Sequence, residues 1–222
     1  MNIGAFLLLT KVEHSRKKRL EMIAKYIGDH MSELEYNNRN MLRLLEPFLK
    51  LSREDYNERQ DQESLEEYVF ALCKTAEYYI RDEQTWRATP LLAEALQLTR
   101  EKEADPTVKD EWKNETLATL AELYDDNGRR QLAQQIREEA AQYGPKPDEP
   151  SHHLTYDPVE DTDAYIAIKD EMEHELYDLM KDEPRGMGFC FHYWAAKQNL
   201  LQQKYGIEWH SPKQMNPRVM FD

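Results

Sequence analysis

Three places in the chain carry side chains of the types that do chemistry. Cys190 and His192, with His210 further on, supply a soft thiol and two imidazoles. Zinc takes four such ligands in structural sites, or three and a water in catalytic ones. No CxxC or HxxxH spacing completes that set, so an inert thiol and a histidine within an aromatic cluster are the simpler reading. Glu171, Glu173, His174 and Glu175 form the second place. On a helix Glu171 and Glu175 share a face but Glu173 does not, which reads as a solvated acidic face. His152-His153 is the third, set in a Pro-rich connector. A Gly-rich phosphate loop, a nucleophile elbow and an HExxH sequence are all missing. Sites assembled from scattered residues leave no such signature, so an enzyme is disfavoured rather than excluded. No catalytic residue, metal or cofactor is assigned.

The elements that would position any site are helical and repetitive. Ala76-Glu77-Tyr78-Tyr79 overlies Ala121-Glu122-Leu123-Tyr124 at an offset of 45 residues. The same offset carries Ala88 onto Ala133, Leu91 onto Ile136 and Ala95 onto Ala140. Small residues let two helix backbones approach closely, and the tyrosine fills the space beside the crossing. A unit of this kind cannot bury its apolar face alone and stacks on its neighbours. The expected work is holding another molecule against a helical surface.

These residues resemble the tetratricopeptide repeat, a unit of about 34 residues with Leu, Gly, Tyr, Ala and Pro landmarks. Leu117, Leu120, Ala121 and Tyr124 occupy the first-helix landmarks, Gly128 the turn, Ala133 and Ala140 the second helix, and Pro145 the stop. The first unit keeps Leu72, Ala76, Tyr79, Ala88, Leu92 and Ala95 but has Glu83 at the turn and Arg100 at the stop. Arg137 stands where the second unit would have a large apolar residue. The longer spacing and the run Ala88-Thr89-Pro90-Leu91-Leu92 look more like the long-helix variety found in kinesin light chains. The resemblance covers residues 64–145 and implies an all-α superhelix whose first helices line a concave groove. Phe70, Cys73, Glu77, Ile80 and Arg81 would face it from one unit, and Glu115, Ala118, Glu122, Asp125 and Asp126 from the other. The summed field of that set is negative and would steer in a protein or peptide bearing Lys or Arg. Relatives that clamp acidic chaperone tails use Lys, Arg and Asn in the groove. Cys73, Glu77, Ala118 and Glu122 stand there instead, which argues against such a ligand.

The chain has 222 residues, 40% of them hydrophobic and 32% charged, with seven glycines, which suits a helical protein of one or two domains. A formal charge of −14 argues against a nucleic-acid or anionic-membrane partner, since both demand a basic footprint. Two cysteines make no disulfide framework, and reduced thiols fit a cytoplasmic setting. The opening Met1–Thr10 is a poor signal peptide, with a short apolar run and no preceding basic region. No stretch approaches the roughly 20 apolar residues of a spanning helix.

Residues 13–52 read as a helical hairpin capping the stack: Leu20, Ile23, Ala24 and Ile27 on a basic first helix, then Met41–Leu49. Tyr36 and Pro47 lie 43 residues before Tyr79 and Pro90, which suggests a degenerate further repeat. Residues 53–63 read as a polar link, with Ser64 and Glu67 as the capping box of the next helix. Asp105-Pro106 marks the clearest helix start. Residues 144–163 form a Pro-rich connector to a C-terminal unit, residues 164–222. There Tyr165, Ile168, Met172, Leu176 and Leu179 form the core face of one helix, and an aromatic-rich helix and an ordered, non-helical tail follow. The leading expectation is an interaction module or scaffold with an acidic groove. The second is an acidic inhibitor or immunity-type protein that covers a basic toxin or nuclease with its C-terminal unit.

Overall fold

A computed structural model describes residues 3–102, 108–148 and 154–221. The architecture is all-α, with no strand among the described residues. The helices are α1 (Ile3–Val12), α2 (Arg16–Asp29), α3 (Met31–Leu34), α4 (Asn38–Arg59), α5 (Gln62–Arg81), α6 (Thr85–Glu101), α7 (Asp110–Asp126), α8 (Arg130–Ala140), α9 (Asp163–Met180), α10 (Phe189–Leu200) and α11 (Pro212–Met215). Among the described residues no helix is long and apolar enough to cross a membrane.

Helices α4 to α8 pack in sequence: α4 on α5, α5 on α6, α6 on α7 and α7 on α8. Ala76, Ala88, Ala121 and Ala133 are all fully buried, as are Ala95 and Ala140, so each pair separated by 45 residues lies inside the packing. The two turns match atom for atom. Gln84 N–H donates to Tyr79 O and Arg129 N–H to Tyr124 O, both at 2.8 Å. Glu83 N–H reaches Ile80 O, and Gly128 N–H reaches Asp125 O, at 3.0 and 2.7 Å. Both turn residues adopt the left-handed conformation, Glu83 at φ 58° and Gly128 at φ 68°. Glycine holds that backbone without strain and glutamate does not.

Several local readings need correction. Residues 53–63 are not a linker, because α4 continues to Arg59 before a two-residue turn. Its polar last turns are tied to neighbouring helices: Arg53 pairs with Glu94 of α6, and Arg16 of α2 pairs with Glu58, both near 2.7 Å. The N-cap of α5 is Asp61, which accepts from Ser64 N–H at 2.9 Å, so Ser64 is the third helical residue rather than the cap. The 43-residue coincidence is not a copied unit: Tyr36 is exposed while Tyr79 is buried. Within 13–52, α2 does pack on α4, with α3 between them. Asp105-Pro106 and His152-His153 lie outside the described residues.

The C-terminal helices gather around a second core of Tyr165, Met172, Leu176, Met180, Leu201 and Trp209. Leu179, expected inside, is 64% exposed, and Met180 takes the inward place. Lys169 is also buried on that stripe. Part of the tail is helical, since Ser211 closes a capping box over α11. The unit docks through α9 on α6 and does not enter the space between α2 and α5. The docking seam is polar. Thr89 Oγ1 donates to Asp170 at 3.0 Å, Arg129 pairs with Asp170 at 2.8 Å, and Thr85 donates to Glu173. Trp86 stacks on His174 with ring centroids 4.6 Å apart.

Candidate functional site

Both α2 and α5 rest on α4, and a groove of about 430 Å³ opens between them. Its floor is Met41, Leu45 and Phe48, which follow one another at helical spacing along α4. Ala24, Ile27 and Gly28 of α2 and Met31 of α3 form one wall. Phe70, Lys74, Glu77, Tyr78 and Arg81 of α5 form the other. Phe70 is 54% exposed and Met31 43%, so two large apolar side chains stand open at the rim.

Three of the groove residues expected from the sequence, Phe70, Glu77 and Arg81, are brought together here. They lie seven and four residues apart along α5 and therefore share a face. Glu77 is not an isolated negative charge. Lys74 Nζ and Arg81 lie 2.8 and 2.7 Å from its carboxylate, and Arg81 also lies 5.0 Å from the centre of the Tyr78 ring. With Glu35 included, the lining holds two cations and two anions and is balanced in charge. This groove, between α2 and α5 rather than between α5 and α7, therefore carries no net field of either sign.

Cys73 faces the core. Burial pushes its thiol up to about 12, which makes it a small apolar group and removes it from the ligand-facing set. Asp125 is withdrawn for a different reason: it is buried against Arg137, with which it forms an ion pair between α7 and α8. That pair accounts for the arginine at a position where the repeat pattern calls for a large apolar residue. Glu115, Glu122 and Asp126 are exposed on α7 but do not line the groove between α2 and α5. Ile80 and Ala118 are half-buried and outside it as well.

The sequence reading missed the α2 and α4 halves of the groove. Its one available signal was Met41, Leu45 and Phe48 at helical spacing beside an α2 stripe that includes Ala24 and Ile27. These residues lack the paired alanines of the repeats, so nothing linked them to α5.

The chemistry-bearing residues of the C-terminal unit are dispersed. His210 Nδ1 lies 2.9 Å from Asp157 Oδ2, His192 is exposed, and Cys190 borders a separate cleft. No group of three or more His, Cys, Asp or Glu side chains among the described residues is placed to hold a metal ion. Neither histidine is buried in an aromatic cluster. Glu160 is a shared carboxylate, which accepts from Trp209 Nε1 at 2.7 Å and Arg130 at 3.2 Å, with Lys197 3.7 Å away. Burial alone would raise its pKa, but these partners outweigh that and hold it below the ordinary carboxylate range.

Comparison of the chain with known protein families, with curated proteins and with solved structures finds no match.

Proposed function

We propose that the chain is a helical-repeat interaction module of tetratricopeptide type, and that it binds an amphipathic helical segment of a partner protein between α2 and α5. The observation that carries the reading is the pair of exposed apolar side chains, Phe70 and Met31, on opposite walls of a groove whose floor is the buried row Met41, Leu45 and Phe48. A helix lying in such a groove anchors through apolar residues spaced three and four apart. Its flanking charges would meet Glu35, Lys74, Glu77 and Arg81, a rim with no net sign. A basic partner is therefore not required by this surface.

The inhibitor reading draws less support. Four carboxylates of α9 are paired within the fold: Asp170 with Arg129, Glu173 with Lys169, and the more exposed Glu171 and Glu175 with Lys204. A carboxylate already paired within the fold has less to offer a basic toxin.

The test is selection of helical peptides from a displayed random library on the purified protein. Selected peptides should carry apolar residues at i, i+3, i+4 and i+7 and lose affinity on Phe70→Glu or Met31→Glu. Glu115→Lys and Glu122→Lys should leave binding intact. Peptides indifferent to the first two changes but sensitive to the second two would move the site to α7 and refute this groove.

A further inference from the structure

A second cavity, of about 570 Å³, opens where the C-terminal unit meets the repeats. Its charged lining comes from five places: Arg39 of α4, Arg81 of α5, Asp82 and Glu83 of the following turn, Lys181 after α9, and Arg185 before α10. Four cations face two carboxylates, on a chain whose formal charge is −14. Both carboxylates are engaged. Glu83 pairs with Arg185, and Asp82 accepts from Gln84 Nε2 at 2.6 Å. Glu77 lies 2.7 Å from Arg81 and Asp178 lies 3.1 Å from Lys181, so with Glu83 on Arg185 three of the four cations already carry a carboxylate partner. Arg39 makes no ion pair among the described residues and is exposed to the cleft. Tyr177 and Phe189 supply aromatic walls, with the Arg185 guanidinium 4.2 Å from the centre of the Phe189 ring.

Glu83 ends α5 in the left-handed conformation that the matching turn gives to Gly128, and its carboxylate pairs with Arg185. The cavity falls within the few-hundred to about 1,000 Å³ range of small-molecule sites. Convergent guanidinium groups suit the charge and oxygen geometry of phosphate better than that of a single carboxylate.

We propose that this cleft binds the phosphate group of a small phosphorylated molecule. The site does not depend on the groove between α2 and α5, although Arg81 borders both. Isothermal titration of the full chain with pyrophosphate, ATP and a phosphoserine peptide tests the assignment. Saturable binding of pyrophosphate or ATP is expected, weakened about tenfold or more by Arg39→Ala or Lys181→Ala. Asp82→Asn should tighten it, because removal of a lining carboxylate favours an anion; a merely structural residue would not produce that gain. All three positions are at the surface or partly exposed, and unchanged thermal melting would show that the variants fold. Absence of saturable binding overturns the proposal. Binding that ignores all three substitutions overturns it too, as an adventitious anion held elsewhere, and binding of the phosphopeptide alone assigns the cleft to a protein ligand instead.

Discussion

Arg137→Ala should be among the most damaging single substitutions in the repeats, although it touches neither cavity. Both members of the Asp125–Arg137 pair are buried, and Arg137 Nε has no hydrogen-bond partner, so the cost of removing the guanidinium from water is only partly recovered. Removing one partner leaves the other as an uncompensated buried charge, a loss of about 3–5 kcal/mol. For a chain of this size each kcal/mol moves the melting temperature by about 2–4 °C, so the midpoint should fall by about 6–20 °C. Asp125→Ala should cost a comparable amount. The double variant Asp125→Ala with Arg137→Leu restores the apolar residue that the repeat pattern calls for, and should recover most of the loss or exceed the parent. Chemical denaturation of the parent, Asp125→Ala, Arg137→Leu and the double that combines them gives the coupling energy directly. Single variants that each cost under about 1 kcal/mol, or a double variant as unstable as their sum, would show that the pair is not the buried unit described here.

The two left-handed turns should respond unequally. Gly128→Ala places a Cβ at φ 68° and 3.1 Å from Lys169 Cε, so it should lose about 1–2 kcal/mol in denaturation; a neutral result would contradict the turn geometry. Glu83→Gly should shift stability by less than about 1 kcal/mol, since relief of backbone strain is offset by added chain entropy and by loss of a half-exposed ion pair. Acid should loosen the C-terminal unit before the repeats. Burial alone would raise both carboxyls, but Glu160 is held below its unfolded value of 4.5 and Asp157 below 3.8, the latter by Val159 N–H and by the His210 N–H and ring. A depressed carboxyl contributes stability that is complete above its unfolded pKa and is lost as pH falls through the folded one. The Trp209 indole N–H resonance, bonded to Glu160, should therefore weaken as pH falls below the ordinary carboxylate range while amides of α5 and α7 stay protected. Simultaneous loss of both would refute the local coupling.

The repeats were legible because their alanines have one physical use. A residue with no side chain beyond Cβ at matched places on consecutive helices marks backbone crossings, and Ala76, Ala88, Ala121 and Ala133 all lie at zero exposure. The turn after α5 was harder to read, since Glu83 adopts a conformation that its residue type disfavours. The end of α4 was misread because Arg53, Glu58 and Arg59 look like a linker until their partners on α2, α5 and α6 are known. Long-range ion pairs leave no trace in local periodicity. Along α5 the sequence pattern does not separate the exposed side chains from the buried ones. A face drawn through Phe70, Glu77 and Arg81 also takes in Cys73, and rotation of the helix by a fraction of a turn puts that thiol in the core.

Net charge guided the sequence reading toward a basic partner, and it is the weakest of the clues. A ligand responds to charges within about one screening length, some 8–10 Å, rather than to the whole chain. Over that distance the groove lining balances, and the four cations of the second cleft sit among four carboxylates, Glu77, Asp82, Glu83 and Asp178, on a protein of formal charge −14. The excess carboxylates lie elsewhere: on the exposed face of α7, where Glu115, Glu122 and Asp126 face solvent, and on α9, where Asp170 and Glu173 help fasten the C-terminal unit to α6 and the turn after α7. A polar seam of that composition joins two cores that are each apolar within.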